Sequence, residues 1–380
     1  MKIMIDATSL ARKITGIENY TKNLVENIIQ LNYQHDNELF ILFREKIPDY
    51  LEDMEGFTPL VSPFKSQLLC EQIWIPYINK IYKPDIIHFP AFPPPLLISN
   101  KGIYFTVHDA TMWKYPETIS VKNKLYMRPL SNLGIKKAKK ILTVSNASLN
   151  NIVDVFPEIS GKISNTGISI SPMFKPVQNK LQLDKVIRKY KLPQNFFLTV
   201  GSLEPRKNLK FLIDCFINFK KDNPNNYKLL ITGRAAWGSQ ELKELISNSE
   251  FQKDIIFTGY ISDEDLVSIY TLADCFIYPS IYEGFGLPVL EAMACGTPVI
   301  ISNKSSLPEV GGEAAIYFDP YKKNELIECL NKFTSNENLR KELSVKGLER
   351  SKQFSWEKVA KDIFKEYLRE VFFVERDYHG

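Results

Sequence analysis

Short apolar blocks alternate along this chain with longer stretches in which apolar positions recur every three or four residues. The first block, KIMIDA from Lys2, reads as a strand, and TGIENYTKNLVENIIQL after it reads as a helix, because Leu24, Ile28 and Leu31 fall at helical spacing. Further strands are predicted at ELFILF, DIIHFP, IYFTVHD and KILTVS. Short β-rich runs alternating with helices mean a parallel sheet covered on both faces. The pattern restarts with FFLTVGS, a helix through NLKFLIDCFINF, YKLLITG, a helix near SQELKELIS, DIIFTGY, a helix through DEDLVSIYTLA, CFIYPS and a helix after Leu287. Two doubly wound α/β units in tandem are expected.

Between the two series, SISPMFKPVQNKLQLDKVIRKYKLP mixes prolines and polar residues without a steady period, so residues 171–192 read as a linker. The expected division is an amino-terminal unit over residues 1–175 and a carboxyl-terminal unit over residues 190–361. The cleft between two such units is the default ligand site. The proline tract AFPPPLL, Ala91 to Leu97, is a stiff extended loop after a strand; it either lines that cleft or is an inert connection.

Composition narrows the class. At 380 residues, with 44% apolar and 24% charged content, the chain has room for two cores. Cys70, Cys215, Cys275, Cys295 and Cys329 form no CxxC pair, which points away from a disulfide framework or a zinc ribbon and toward a reducing cytosol. Asp6 interrupts the first apolar run, as a signal peptide would not tolerate, and no apolar run reaches the length of a membrane span. Net charge is +4, but from Lys101 to Lys162 ten Lys/Arg face four acids, an excess of +6. That patch suits a phosphate-bearing partner or an anionic lipid surface, or is a solvated helix face; a nucleic acid partner is not expected.

One stretch departs from the simple alternation. YPSIYEGFGLPVLEAMACGTPVI, from Tyr278, places Gly284 and Gly286 after a strand and Pro288 at the start of a helix. Glycines permit a tight turn and proline suits a first helical turn, so backbone N–H groups gather at the positive end of a helix, where hydroxyls and phosphate oxygens bind. Glu283 lies in the turn and Glu291 about one turn into the helix. Ionised carboxylates accept hydrogen bonds, which fits vicinal sugar hydroxyls; both residues could equally stabilise a helix start. VGSLEPRKNLKFLI repeats the strand, turn and helix logic and puts Arg206 and Lys207 side by side, where a diphosphate would separate them. In the amino-terminal half, Gly16 opens the first helix and permits close approach of a phosphate or sugar, while His108 and Asp109 end a strand as a structural or catalytic pair.

The segments EPRKN, TGRAAWGSQEL and IIFTGYISDEDLVSIYTLADCFIYPSIYEGFGLPVLEAMACGTPVIISNKSSLPEVGGEAAIYFDP, with the late FSWEKVAKDIFKEY, resemble the bacterial retaining glycosyltransferases of family 4. That group has the GT-B fold and includes mannosyl- and rhamnosyltransferases of surface-polysaccharide assembly. The resemblance covers essentially the whole chain and is densest over residues 200–320. It implies two Rossmann-like doubly wound domains facing across a cleft, with a C-terminal helix at about 362–380 packing back on the first. Glu283 matches the first Glu of the family's E-x7-E motif, on the hydroxyls of the transferred sugar, with backbone groups of Gly284, Phe285, Gly286 and Leu287 around it. Glu291 matches the second, on the ribose. Lys207, helped by Arg206, matches the diphosphate lysine, Gly16 the amino-domain glycine beside the diphosphate, and His108 the histidine near sugar and acceptor, with Asp109 on the acceptor side. Tyr260 would border the base. Many relatives carry arginine after the strand-end glycine; here Ser202 stands there and Arg206 is expected to replace it.

The implied reaction is a retaining transfer of a hexose, mannose- or rhamnose-like, from a GDP- or UDP-linked donor to a saccharide or lipid-linked saccharide. Charge on the leaving diphosphate would be met by Arg206, Lys207 and helix ends, without a metal or other cofactor. The residues leave a covalent intermediate open. DED at Asp263 to Asp265 contains a formal D-x-D, but after Ser262 and before an apolar-periodic run it reads as a helix cap. An epimerase of the same architecture and a non-catalytic nucleotide-sugar binding protein are the alternatives; a dehydrogenase is disfavoured because no GxGxxG follows a strand. The apolar stretches FKSQLLCEQIWIP, AFPPPLL and TMWKYPETISVKNKLYMRPL either receive a lipid-linked acceptor or pack the fold. A cytoplasmic protein, peripheral on the inner membrane face, is expected.

Overall fold

The structure, a computed structural model, describes residues 1–11, 16–35, 37–119, 121, 123–201, 204–222, 226–233 and 240–377. It divides into two units, Met1–Ser169 with the segment from Ser355 onward, and Ile170–Phe354. Each is built on one all-parallel sheet.

The first sheet comprises β1 (Lys2–Asp6), β2 (Glu38–Arg44), β3 (Thr58–Ser62), β4 (Ile86–Phe89), β5 (Ile103–Thr106), β6 (Lys140–Thr143) and β7 (Ile163–Asn165), in the order β3-β2-β1-β4-β5-β6-β7. The second comprises β8 (Phe196–Val200), β9 (Lys228–Thr232), β10 (Ile255–Gly259), β11 (Cys275–Tyr278), β12 (Val299–Ser302) and β13 (Ala315–Phe318), in the order β10-β9-β8-β11-β12-β13. Central strands are buried on both faces, which is why Ile3 to Ile5 and Phe276 to Tyr278 are unbroken apolar runs rather than alternating ones. Two Rossmann-like units of this kind make the GT-B architecture that the motifs implied. Strand order reverses between β1 and β4 in one sheet and between β8 and β11 in the other. In open α/β sheets such a reversal opens a crevice at the carboxyl ends of the strands, where ligands bind.

Among the described residues all nine strands read from the sequence are present, and four more join them. Strand β3 contains Pro59, which central strands exclude, and it is tolerated because β3 is an edge. Strand β7 is three residues long, also at an edge, and β12 and β13 are four-residue runs with too little length to show a period.

The expected linker is a correction. Residues Lys180–Tyr190 form a helix of the second unit. The Asn179 side chain accepts from the amides of Leu181 and Gln182, and Lys191 closes the helix in a left-handed conformation at φ +50°. Only Val186 is buried on it, so its apolar face is too narrow to read as a period. Lys189 and the Tyr190 hydroxyl both bind Asp265, tying this helix to the one at Asp263–Leu272.

In the first unit, helix Gly16–Asn32 buries Leu24 and Ile28 fully, with Leu31 only half-buried. The final helix, Trp356–Asp377, packs against it through Tyr20 and Trp356, whose ring centroids lie 5.5 Å apart. Its buried residues Trp356, Val359, Ala360, Ile363, Phe364 and Tyr367 trace one helical stripe. The Tyr367 hydroxyl is 2.6 Å from His88 Nδ1, and His88 Nε2 is 2.8 Å from Thr106 Oγ1.

Candidate functional site

Two turns meet at the strand-order reversal of the second sheet. After β8 the chain enters a tight turn, Pro205–Lys207, which Asn208 ends at φ +55°. Asn208 is anchored there by donating from Nδ2 to the Pro320 carbonyl at 2.9 Å. Strand β11 lies beside β8 and leads into residues 279–286. The Ile281 amide donates to the Arg206 carbonyl at 2.8 Å, so the two turns are joined through their backbones.

Their side chains form one ion cluster. Lys207 Nζ donates to Glu283 Oε1 at 2.6 Å and to the Tyr278 hydroxyl at 2.7 Å. Arg206 Nη1 donates to Glu283 Oε2 at 3.0 Å and to the Tyr282 carbonyl at 3.1 Å, while its Nε donates to Glu204 at 2.7 Å. Ser280 Oγ donates to Glu283 Oε1. Both carboxylate oxygens of Glu283 are therefore engaged, and its side chain is only 8% exposed. Burial would push the Glu283 carboxyl up, but the charges of Lys207 and Arg206 outweigh it and hold the pKa below its ordinary value. Burial works against the Arg206 charge, yet Glu283 and Glu204 fix that guanidinium more firmly in its charged form.

The turn that carries Glu283 is held from the next strand. Ser305 Oγ donates to the Glu283 carbonyl at 2.7 Å and accepts from its amide at 3.2 Å. Ser306 Oγ donates to the Phe285 carbonyl at 2.7 Å. Ser305 itself is left-handed at φ +57°, a strained conformation for serine that clusters at functional sites. Gly286, at φ +106°, opens helix Leu287–Ala294, and an added Cβ there would lie 2.7 Å from Leu307 Cδ2. Glu291, in that helix, accepts from the Tyr270 hydroxyl at 3.0 Å. Burial lifts the Glu291 carboxyl to about 7, against the Tyr270 bond. Two glutamates eight residues apart thus have opposite electrostatics: Glu283 is a stabilised anion, and Glu291 sits at the edge of ionisation.

The structure brings together Arg206, Lys207, Glu283, Gly284, Phe285 and Gly286, with Leu287 and Glu291 on the helix that follows. The expectation separated Lys207, on a diphosphate, from Glu283, on a sugar; the structure ion-pairs them. Ser202 lies outside the described residues. Tyr260 follows β10 and is 58% exposed. The D-x-D segment is a helix cap, with Ser262 accepting from the Asp265 amide and Asp265 engaged by Lys189 and Tyr190.

Gly16, His108 and Asp109 belong to the first unit. Gly16 is exposed, and a Cβ built on it meets nothing within 4 Å. His108 Nε2 donates to the Pro90 carbonyl at 2.9 Å and its ring meets Tyr20 edge-on at 4.7 Å. Burial lowers its pKa, keeping the imidazole neutral. Asp109 accepts from the Thr111 amide at 2.7 Å, just ahead of a short helix, Thr111–Lys114. Of the apolar stretches, Cys70, Trp74 and Phe92 are buried and Trp113 packs on Phe156, so those four residues pack the fold. The lysine-rich patch is partly spent on structure too. Lys114 pairs with Asp154, Lys140 with Glu366, and Lys162 donates to the carbonyls of Ile135, Lys136 and Ala138 at a helix end.

Sequence reasoning missed Tyr278, Ser280, Ser305, Ser306 and Tyr270. Tyr278 and Ser280 sit inside the motif already quoted, and their position at a strand end beside an acid was the available signal. The serines of NKSS are far from Glu283 in sequence and announce nothing.

Comparison with known proteins places this geometry. Residues 183–350 match the family "Glycosyl transferases group 1". The O-antigen chain mannosyltransferase B of Escherichia coli is 31% identical over 374 residues, covering 94% of this chain and 97% of that protein. Among solved structures, sucrose-phosphate synthase from Thermosynechococcus elongatus superposes with a TM-score of 0.71 at 19% identity, over 98% of this chain and 99% of the other. Anabaena HepE in complex with UDP and glucose superposes with a TM-score of 0.68 at 17% identity, over 97% of this chain and all of the other at 100%.

Proposed function

Because this chain belongs to the group 1 glycosyltransferases, and is a glycosyltransferase, we propose that it transfers mannose or a similar hexose, with retention, from a nucleotide-diphosphate sugar to a saccharide or lipid-linked saccharide. The observation that carries this reading is the Arg206, Lys207 and Glu283 cluster at the reversal of the second sheet. Glu283 and Glu204 together pin Arg206 and Lys207, two carboxylates against two cations, at the strand ends where the fold collects anions. Two of the three ammonium donors of Lys207 are directed at Glu283 and Tyr278, and a diphosphate oxygen takes the third. The mannose assignment and the saccharide acceptor rest on likeness to the O-antigen chain enzyme; the nucleotide-sugar donor rests on likeness to a fold neighbour that holds UDP and glucose.

As the bond from the anomeric carbon to the diphosphate oxygen breaks, negative charge grows on the leaving group and the sugar becomes oxocarbenium-like. Cations already positioned and part-buried stabilise that charge without reorganising, which is the larger part of what such a site supplies. The acceptor hydroxyl attacks from the leaving-group face, a new carbon–oxygen bond forms, and the phosphate oxygen takes the hydroxyl proton. On this reading the cluster supplies the charge that a metal provides elsewhere. Glu283 has two roles in sequence: it holds Arg206 and Lys207 in place, and it accepts from a sugar hydroxyl. Glu291 accepts from the ribose. In the first unit, His108, held neutral by burial, and Asp109 beside it are the residues assigned to the acceptor side. The protein works in the cytoplasm, peripherally on an anionic membrane surface.

The test is a panel of GDP- and UDP-linked sugars. A true donor raises Tm by mass action and, with a saccharide acceptor, yields a product heavier by one hexose. Stabilisation by no nucleotide sugar overturns the reading, as does conversion of the donor to an isomer of unchanged mass without acceptor.

A further inference from the structure

The helical run from Gln67 to Tyr82 has a second face that the transfer reaction does not use. Its inner side is core: Cys70, Trp74, Ile75 and Ile78 are buried. Its outer side carries Leu69, Ile73, Tyr77 and Ile81, four apolar residues at a constant spacing of four, exposed at 39, 54, 60 and 51%. The run is α-helical at Gln67–Leu69 and Ile75–Tyr82 with a wider π-helical turn at Cys70–Trp74 between them, and side chains about four apart on such a run are neighbours, so these form one strip along it. The strip is extended sideways. Leu97, 80% exposed, sits in a loop whose preceding residue Leu96 donates its amide to the Gln72 side chain at 3.0 Å. Leu125, 76% exposed, lies beside Tyr126, whose hydroxyl neighbours the same Gln72. Soluble monomers rarely leave so continuous an apolar surface to water unless something covers it.

Beside the strip is a cavity of about 600 Å³, lined in part by Lys80, Lys83, Asp85, Leu97 and Lys101. All three lysines are exposed, and the Asp85 carboxylate is already accepting from the Lys2 amide at 2.7 Å. An apolar strip bordered by cations is the pattern of a helix that lies in a bilayer interface. The apolar side enters the acyl boundary and each nearby lysine is drawn to an anionic surface. A protein partner is a poorer match, since lysine is depleted in protein interfaces. Among the described residues no helix is long and apolar enough to cross a membrane.

We propose that the face formed by Leu69, Ile73, Tyr77, Ile81, Leu97 and Leu125, with Lys80, Lys83 and Lys101 beside it, is the surface by which this protein lies on an anionic lipid bilayer. The reading refines the peripheral location given above, but it does not depend on which sugar is transferred.

The experiment is co-sedimentation of the full chain with phosphatidylcholine vesicles, with and without phosphatidylglycerol, at low and high salt. Binding should strengthen at least about tenfold with phosphatidylglycerol and weaken with salt, a difference of ~1.4 kcal/mol. Ile73→Ser with Tyr77→Ser, and separately Lys80→Glu with Lys83→Glu and Lys101→Glu, should each remove that gain. Both variants should keep the parent's Tm and its turnover with a short soluble saccharide acceptor, which shows that they fold and that the transfer reading stands independently. Equal binding to both vesicle types, or undiminished binding by both variants, overturns the proposal. So does a solution dimer that Ile73→Ser with Tyr77→Ser dissolves, because the strip would then belong to a second copy.

Discussion

The ammonium of Lys207 and the carboxylate of Glu283 lie 2.6 Å apart on turns that follow two adjacent strands. Neither is in bulk water, and it is the Glu283 carboxylate that depends on Lys207 and Arg206 to remain charged. If the two cations face a diphosphate as proposed, Lys207→Ala removes one of them and should lower kcat/KM by at least about tenfold, ~1.4 kcal/mol. It should also destabilise the fold by about 1–3 kcal/mol, because Glu283 loses a buried partner. Glu283→Gln keeps the shape but takes the carboxylate charge away from Lys207 and leaves Arg206 paired with Glu204 alone. Donor turnover should fall while affinity for the bare nucleoside diphosphate holds or rises. Steady-state kinetics and calorimetric titration with GDP and UDP check both outcomes; unchanged turnover in both variants removes the cluster from the mechanism.

Glu291 and Glu283 should respond to pH in opposite senses. The Glu291 carboxyl is at about 7 in the fold against an ordinary 4.5, so between those values the folded state holds a proton that the unfolded chain has released. Its contribution to stability therefore declines as pH rises from about 4.5 toward about 7 and is level above that. Glu283 is depressed, so its contribution is complete above its ordinary 4.5 and is lost as pH falls through the lower folded value. If Glu291 accepts from a ribose as proposed, only its ionised form is a pure acceptor, so donor affinity should rise as pH passes about 7. Glu291→Gln should flatten that rise, and thermal melts with and without donor across the range measure both effects.

Two glycines separate packing from ligand approach. At Gly16 a Cβ meets nothing within 4 Å, so Gly16→Ala should leave Tm unchanged or slightly higher, alanine being the better helix former. If a phosphate or sugar approaches that helix start, the same methyl should reduce donor turnover by at least about tenfold, ~1.4 kcal/mol. At Gly286 the backbone is at φ +106° and a Cβ would press on Leu307, so Gly286→Ala should cost about 1–3 kcal/mol of stability as well as activity. A stable and fully active Gly16→Ala would remove Gly16 from the donor site.

What the sequence made readable follows from range. The strand and helix alternation depends on residues a few places apart, so both sheets and the turn chemistry at Glu283 and Lys207 were visible. That these two residues touch depends on β8 lying beside β11, a pairing that local periodicity does not carry. The helix at Lys180–Tyr190 was obscured because only Val186 is buried on it. Ser305 and Ser306 grip the Glu283 turn across more than twenty positions, and a pair of serines in a loop has no pattern that reports such a role.

The final helix should be held to the first unit by a contact that acid dissolves. His88 is fully buried between Tyr367 and Thr106, and burial lowers its pKa to about 3 from 6.5. The unfolded chain takes up a proton there below 6.5, while the folded unit refuses it until about 3. His88 thus costs nothing above 6.5 and withdraws stability steadily as pH falls between those values, on the order of 3 kcal/mol by mid-range acid. Replacing His88 with a residue that does not titrate in this window should make the stability curve shallower below 6.5, even if the variant is less stable at neutral pH. Tyr367→Phe removes the 2.6 Å bond and should cost about 0.5–1.5 kcal/mol at neutral pH. Denaturant melts from neutral to acid pH decide the matter, and an unaltered acid slope after replacing His88 would show that other groups set it.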